Sequence, residues 1–126
     1  MIGYVTIGAK DSEVSGKFYD AFFGAFGHER KFADGSWIGY GPKSSDSYNV
    51  FVCPPFDGKQ ASFGNGMMIG FNAKTQDEVK AAHKAGIAAG GSDEGAPGFR
   101  PPEKTSWYGA YLRDPTGNKL CVFCKP

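Results

Sequence analysis

Few side chains of this chain are suited to covalent or metal chemistry, and they do not cluster. There are three cysteines (Cys53, Cys121 and Cys124) and two histidines (His28 and His83). Cys121 and Cys124 form a C-x-x-C, but it falls late in a predicted strand instead of at a helix N-terminus, where low-pKa thiols are found. An odd cysteine count without zinc-like spacing indicates reduced thiols, so we expect a cytoplasmic location.

The histidines do not form an evident site either. His83 lies on the apolar stripe of a predicted helix, which favours a packed core role. His28 follows Gly27, a suitable helix end, and is expected to be exposed there. Arg100 and Glu103 lie in a Pro/Gly-rich stretch, 95–106. They either bind a polar group of a ligand or are solvated loop charges, and the sequence leaves both open.

An internal repeat in the sequence indicates where these residues lie in the fold. Residues 36–40 read S-W-I-G-Y, and residues 106–111 read S-W-Y-G-A-Y. Similarly, A-K-D-S-E-V near the start returns as A-K-T-Q-D-E-V, and V-F-V-C-P-P returns as C-V-F-C-K-P at the end. We therefore predict one domain over 1–126, made of two copies of a small module (1–55 and 66–126) joined by a linker at 56–65. A seam between such copies is a natural place for a ligand.

The hydrophobic periodicity predicts the same element order in each copy. The first copy has a strand at 4–8, a helix from Asp11 or Ser12 to Gly27, and strands near 29–33, 36–41 and 48–53. The second has a strand near 66–72, a helix capped by Thr75, a short strand near 91–94, and strands at 108–113 and 119–124. The order is βαβββ twice, an α+β fold. Phe18 and Phe22 share the apolar stripe of the first helix and are predicted to be core residues.

Composition excludes two classes of partner. Fourteen basic and thirteen acidic residues give a formal net charge of +1, and no Lys/Arg run occurs, so a nucleic-acid partner is not expected. No apolar stretch approaches the roughly 18 residues that a membrane span requires. The N-terminus also lacks the pattern of a signal peptide.

Three segments in order resemble the vicinal oxygen chelate superfamily, which includes glyoxalase I, bleomycin-resistance proteins and extradiol dioxygenases. They are the opening strand, aspartate and "FY" helix (Tyr4 to Asp20), the doubled βαβββ order, and the hairpin Y-L-R-D-P-T-G-N-K-L at 111–120. The resemblance implies that two curved sheets form a cup, with helices outside and the ligand inside. It also leads us to expect a homodimer.

Metal-using members of that superfamily place four ligands in the cup. They are usually histidine or glutamine on the first strand, glutamate on the fourth, histidine on the fifth and glutamate on the last. The resemblance carries those positions onto Tyr4, Val50, Met68 and Cys121. Valine cannot ligate, methionine is a weak ligand, and the tyrosine and the cysteine would have to ionise in an apolar pocket. We therefore expect no metal or other cofactor, with a soft-metal site from Met68, Cys121 and Tyr4 as the alternative.

The sequence thus favours a metal-independent protein that binds a small apolar or aromatic molecule in an aromatic-lined cup. The alternative is a lyase or dioxygenase of the same superfamily, lactoylglutathione-lyase-like, which uses a metal or acts through Tyr4 or Cys121. No catalytic residue is assigned. The residues expected to line the cup are Tyr4, Trp37, Val50, Met68, Arg100, Trp107, Tyr111 and Cys121.

Overall fold

The computed structural model describes residues 1–126 and has the predicted βαβββ order twice. The first module consists of β1 (Val5–Gly8), α1 (Ser12–Gly24), β2 (His28–Asp34), β3 (Trp37–Pro42) and β4 (Val50–Cys53). The second consists of β5 (Met68–Asn72), α2 (Gln76–Ala88), β6 (Ser92–Phe99), β7 (Tyr108–Arg113) and β8 (Lys119–Cys124). The predicted α+β fold is confirmed.

Each module forms its own four-stranded sheet, and the two sheets do not close into one. The strand orders are β1-β4-β3-β2 and β5-β8-β7-β6, in which β1 and β5 pair in parallel with the last strand of their module. β1 and β5 are therefore edge strands. Each helix begins at a polar cap: the Asp11 carboxylate accepts the backbone N–H groups of Glu13 and Val14, and Thr75 Oγ1 accepts that of Glu78.

The two modules share one hydrophobic core on the helix side of both sheets. Phe18 and Phe22 of α1 are fully buried, as their spacing predicts. Phe22 also reaches Phe71 of β5, with ring centroids 6.0 Å apart. The core continues through Ile7 and Leu120, one from each sheet. Because both helix-covered faces meet in this core, the opposite face of each sheet is left uncovered.

A polar junction at the turn between β7 and β8 also joins the modules. Asp114 Oδ1 accepts backbone N–H groups of Thr116, Gly117 and Asn118, so this aspartate orders its own turn. Its Oδ2 accepts the hydroxyl of Tyr19 from α1 at 2.6 Å. The Asn118 amide donates to the carbonyl of Gly8 at the end of β1. The turn therefore locks the second module onto the first.

Two local expectations are wrong. The short strand predicted near 91–94 extends into the Pro/Gly-rich stretch, because residues 95–99 also belong to β6, whose pairing with β7 shifts register at Gly95 and Gly98. Glycine and proline there produce an irregular strand that has no regular alternation in sequence. His28 is also not an exposed helix end: it begins β2 and is half-buried against Phe23 and Phe26.

No helix of the structure is long and apolar enough to cross a membrane.

Candidate functional site

The uncovered face of the first sheet, which we call the first open face, carries a group of neutral aromatic rings. Phe51 of β4 is at its centre, with Tyr4, Trp37 and Tyr48 at centroid distances of 5.6, 5.9 and 5.7 Å. Phe32 of β2 stacks on Tyr48 at 6.0 Å. Tyr4 is 65% exposed and Trp37 42%. Burying rings of this size against a ligand or another protein surface would be favourable.

The uncovered face of the second sheet, the second open face, carries a tighter aromatic stack. The ring of Trp107 lies between those of Phe123 and Tyr111, at 5.2 and 6.2 Å and within 29° of parallel to each. Cys121 is the ladder partner of Tyr111 and is 2% exposed. Met68, from the neighbouring strand, lies at the margin of this face and is 45% exposed. The stack is partly exposed and forms a flat, mainly apolar surface.

The register shows that Val50 does not belong to either open face. Val50 pairs with Val5 and Tyr40, both on the helix side, and is 8% exposed. Its neighbour Phe51 faces outward, because side chains alternate along a strand. Aligning the two copies by sequence therefore places β4 one residue out of register with β8. Phe51, not Val50, corresponds to Cys121, since each pairs with the outward-facing residue of its edge strand.

The inserted residue in the second S-W motif changes which residues share a face. Trp37 and Tyr40 are three residues apart and lie on opposite faces: Tyr40 is buried, and its hydroxyl donates to Asp20 at 2.8 Å. Trp107 and Tyr111 are four apart and lie together on the second open face. The Trp107 indole also covers Gly109, where any side chain would collide with it. Tyr40 and Tyr111, which are equivalent in sequence, are therefore not equivalent in the sheet.

The chain does not gather the predicted site residues into one cavity. Tyr4 and Trp37 lie on the first open face, whereas Met68, Trp107, Tyr111 and Cys121 lie on the second. Arg100 follows β6 and reaches the second face over Tyr111. The first face thus carries two of the predicted lining residues and the second carries five, and the shared core separates the two groups.

A cavity of about 420 Å³ does lie between the two modules, next to the edge strands β1 and β5. Tyr4 and Val50 contribute to its wall, as do Phe23, Phe26 and Phe71. His28 is the one imidazole in the lining, and burial lowers its pKa. The imidazole is therefore neutral at pH 7, and the cavity is a mainly apolar space that adjoins the first open face at Tyr4.

The second open face is positively charged. The Arg100 guanidinium carbon lies 5.7 Å from the Tyr111 ring centroid, and the Lys119 ammonium nitrogen lies 5.8 Å from it. These distances are typical of cation–π contacts. Lys119 is not among the predicted site residues, although it lies two residues before Cys121 in the predicted strand and so shares its face.

The thiol on this face is not an activated nucleophile. Burial raises the pKa of Cys121 to about 11, and the Arg100 charge offsets this only in part. At neutral pH the side chain is therefore a neutral thiol. Cys124, three residues along β8, packs in the core on the opposite face, so the C-x-x-C does not place its two sulfur atoms side by side.

A metal of the kind implied by the resemblance does not fit these residues. With the corrected register, the four positions are Tyr4, Phe51, Met68 and Cys121, and phenylalanine has no donor atom. No group of three or more His, Cys, Asp or Glu side chains comes together in a way that could hold a metal ion. The remaining donors are a phenol, a thioether and a high-pKa thiol, a poor set for a divalent ion.

Comparison with solved structures places this geometry among known proteins. A glyoxalase/bleomycin resistance protein from Albidiferax ferrireducens T118 is 40% identical, with a TM-score of 0.86 over 98% of both chains. A glyoxalase-related enzyme from Fulvimarina pelagi is 22% identical, with a TM-score of 0.76 over 100% of this chain and 88% of that one. Lactoylglutathione lyase from Agrobacterium tumefaciens is 19% identical, with a TM-score of 0.66 over 98% and 92%. The last two show the fold alone.

Neither a scan against protein-family models nor a search of curated proteins found a match. The 40% identity along nearly the whole of both chains is nevertheless sufficient. Together with the doubled βαβββ fold, it shows that this chain belongs to the glyoxalase/bleomycin resistance protein family, within the vicinal oxygen chelate superfamily.

Proposed function

We propose that this protein binds a small flat aromatic molecule without a metal, at the second open face. The observation that carries the proposal is the partly exposed, near-parallel stack of Trp107, Tyr111 and Phe123. A ligand ring laid on these side chains gains both apolar burial and aromatic contact. Such a stack tolerates many planar ligands, which suits a binding protein better than a single-substrate enzyme.

A second copy of the chain would complete the site. The edge strands β1 and β5 each pair on one side only, and the first open face presents the exposed rings of Tyr4 and Trp37. In a homodimer, the first open face of one copy could cover the second open face of the other and enclose the ligand between aromatic walls. The dimer would thus bring together the two groups of lining residues that the shared core separates within one chain.

The rival function is a lyase or dioxygenase reaction. The observation in its favour is that Tyr4 and Cys121 each carry an ionisable group on an open face. Against it, Cys121 is a neutral thiol at pH 7, and no histidine or carboxylate lies beside it in the ladder. Turnover of a hemithioacetal or catechol that persists after chelation and is lost in Tyr4→Phe or Cys121→Ser would support the rival.

We also propose that the protein works in a reducing compartment such as the cytoplasm. All three cysteines are free and buried. Oxidation of Cys121 would introduce a polar group beneath the aromatic stack.

Calorimetric titration with a flat aromatic compound tests the binding proposal. Chelator-treated protein should bind 2-naphthamide saturably, and Met68→Trp should obstruct the second open face and abolish binding while the melting temperature is retained. Asn49→Trp is the matched control, because Asn49 is exposed and lines the cavity between the modules instead. Loss of binding in Asn49→Trp but not in Met68→Trp would move the site to that cavity.

A further inference from the structure

The charges on the second open face point to a narrower class of ligand. Arg100 and Lys119 approach the same ring, Tyr111, at 5.7 and 5.8 Å. Neither forms an ion pair, whereas Arg113 in the same sheet is bound by Glu94 at 2.6 Å. Glu103, on the loop after Arg100, is exposed and pairs with neither. Two cations therefore lie beside an aromatic stack without a protein counter-charge.

The position of Arg100 is fixed by β6 and not by an acidic partner. Its Nη2 donates to the carbonyl of Ala96 at 2.7 Å and its Nη1 to that of Phe99 at 3.3 Å. A Cβ at Gly98 would lie 2.8 Å from Nη1, and one at Gly95 would lie 2.9 Å from the Tyr111 ring. The two glycines thus make room for the guanidinium and the ring, and backbone carbonyls satisfy some of the five N–H donors while leaving others free.

The first open face lacks this feature. In its sheet, Arg30 is bound by Asp20 at 2.8 Å on the helix side, and Lys31 is bound by Glu29 at 3.0 Å. Its aromatic group has no cation–π partner. The unpaired positive charge is therefore specific to the second face.

We infer that the ligand of the second open face is an aromatic anion: a planar ring, stacked on Trp107 and Tyr111, that carries a carboxylate or similar acidic group between Arg100 and Lys119. This inference rests on the proposed binding function and adds the charge of the ligand to it. An anion there gains charge-assisted hydrogen bonds from a guanidinium without displacing a protein carboxylate. A neutral ring of the same shape gains only the stacking.

A matched pair of probes tests the charge separately from the ring. At pH 7 and low salt, calorimetry should show 2-naphthoate binding about tenfold more tightly than the isosteric neutral 2-naphthamide. Arg100→Gln and Lys119→Gln should each reduce severalfold the ratio of the naphthoate affinity to the naphthamide affinity. Lys80→Gln, which removes an exposed charge from α2, should change neither affinity.

Two variants separate the effect of the charge from an effect on the fold. Arg100→Lys keeps the charge, so it should retain much of the anion preference even though the guanidinium bonds to β6 are lost. Lys119→Gln does not disturb those bonds and serves if Arg100→Gln fails to fold. Equal affinities of the wild-type protein for the two probes would overturn the inference and leave the binding function standing. Failure to bind either probe would overturn both.

Discussion

The two open faces are produced by the same strand order but have different surfaces. On the first, Phe51 lies at the centre of loosely spaced, exposed neutral rings. On the second, the corresponding position is Cys121, which is small enough to leave space beneath a packed stack, and two unpaired cations lie at its edge. The first face is therefore aromatic and neutral, whereas the second combines aromatic rings with positive charge. The two copies thus have the same strand order but present different side chains on their open faces.

The largest expected effect is a loss of stability when the core that joins the two modules, and therefore the two faces, is disrupted. Phe22 is fully buried and contacts Phe71 of the other module. Phe22→Ala should cost about 3–5 kcal/mol of unfolding free energy, because it opens a cavity in the shared core. Urea unfolding should remain a single transition when followed at Trp37 and at Trp107 in single-tryptophan variants. Separate transitions would show that the faces are independently stable.

The next prediction separates the faces by binding. Trp107→Ala should weaken naphthoate binding by about 2 kcal/mol, or roughly 30-fold, because it removes the middle ring of the stack. Trp37→Ala should cost less, since in the proposed dimer its ring only covers the ligand. Calorimetry of the two variants at one protein concentration makes the comparison. A larger loss in Trp37→Ala would reverse the roles assigned to the faces.

A smaller effect concerns the polar junction between the modules. Tyr19→Phe removes the hydrogen bond to Asp114, and this carboxylate keeps its bonds to the turn and to Asn118. The loss should be about 1–2 kcal/mol in unfolding free energy, with the fold retained. Chemical denaturation measures it, and Tyr48→Phe on the exposed first face is the control. A neutral result would mean that the junction adds no stability.

The smallest effect is a pH dependence specific to the second face. Because burial raises the pKa of Cys121 from 9.0 to about 11, the folded protein resists thiolate formation. The resulting stability is fully present below pH 9 and is lost as the pH rises through 11. Alkylation of Cys121 by iodoacetamide, followed by mass spectrometry, should be slow at pH 8 and faster towards pH 11. Fast alkylation at pH 8, comparable with that in urea, would contradict a buried neutral thiol.

The sequence predicts helices, helix caps and turns well, because each depends on residue types within a few positions of one another. The helices follow from the spacing of Phe18 and Phe22 and from the caps Asp11 and Thr75, and the Asp114 turn follows from its aspartate and glycine. In these cases the signal is local, so it does not depend on distant pairing.

The site was harder to predict because the faces of a strand depend on register. A shift of one residue exchanges its faces, so comparing the two copies selected Val50 where the structure places Phe51. The guanidinium position of Arg100 depends on the irregular β6, which has no local sequence signal, whereas alternation along the predicted strand 119–124 puts Lys119 on the face of Cys121. The separation of the predicted lining into two groups depends on how the modules pack.

The location of the ligand site can be tested most directly with the two tryptophans, since the chain has only Trp37 and Trp107, one on each open face. In a ¹H–¹⁵N spectrum of chelator-treated protein, their indole N–H signals report the faces separately, and Trp37→Phe assigns them. Titration with 2-naphthoate should shift the Trp107 signal strongly, and also the Trp37 signal if a second copy closes the site. If binding leaves the Trp107 indole signal unchanged and instead shifts the amide signals of His28 and Asn49, the ligand does not bind at the second open face.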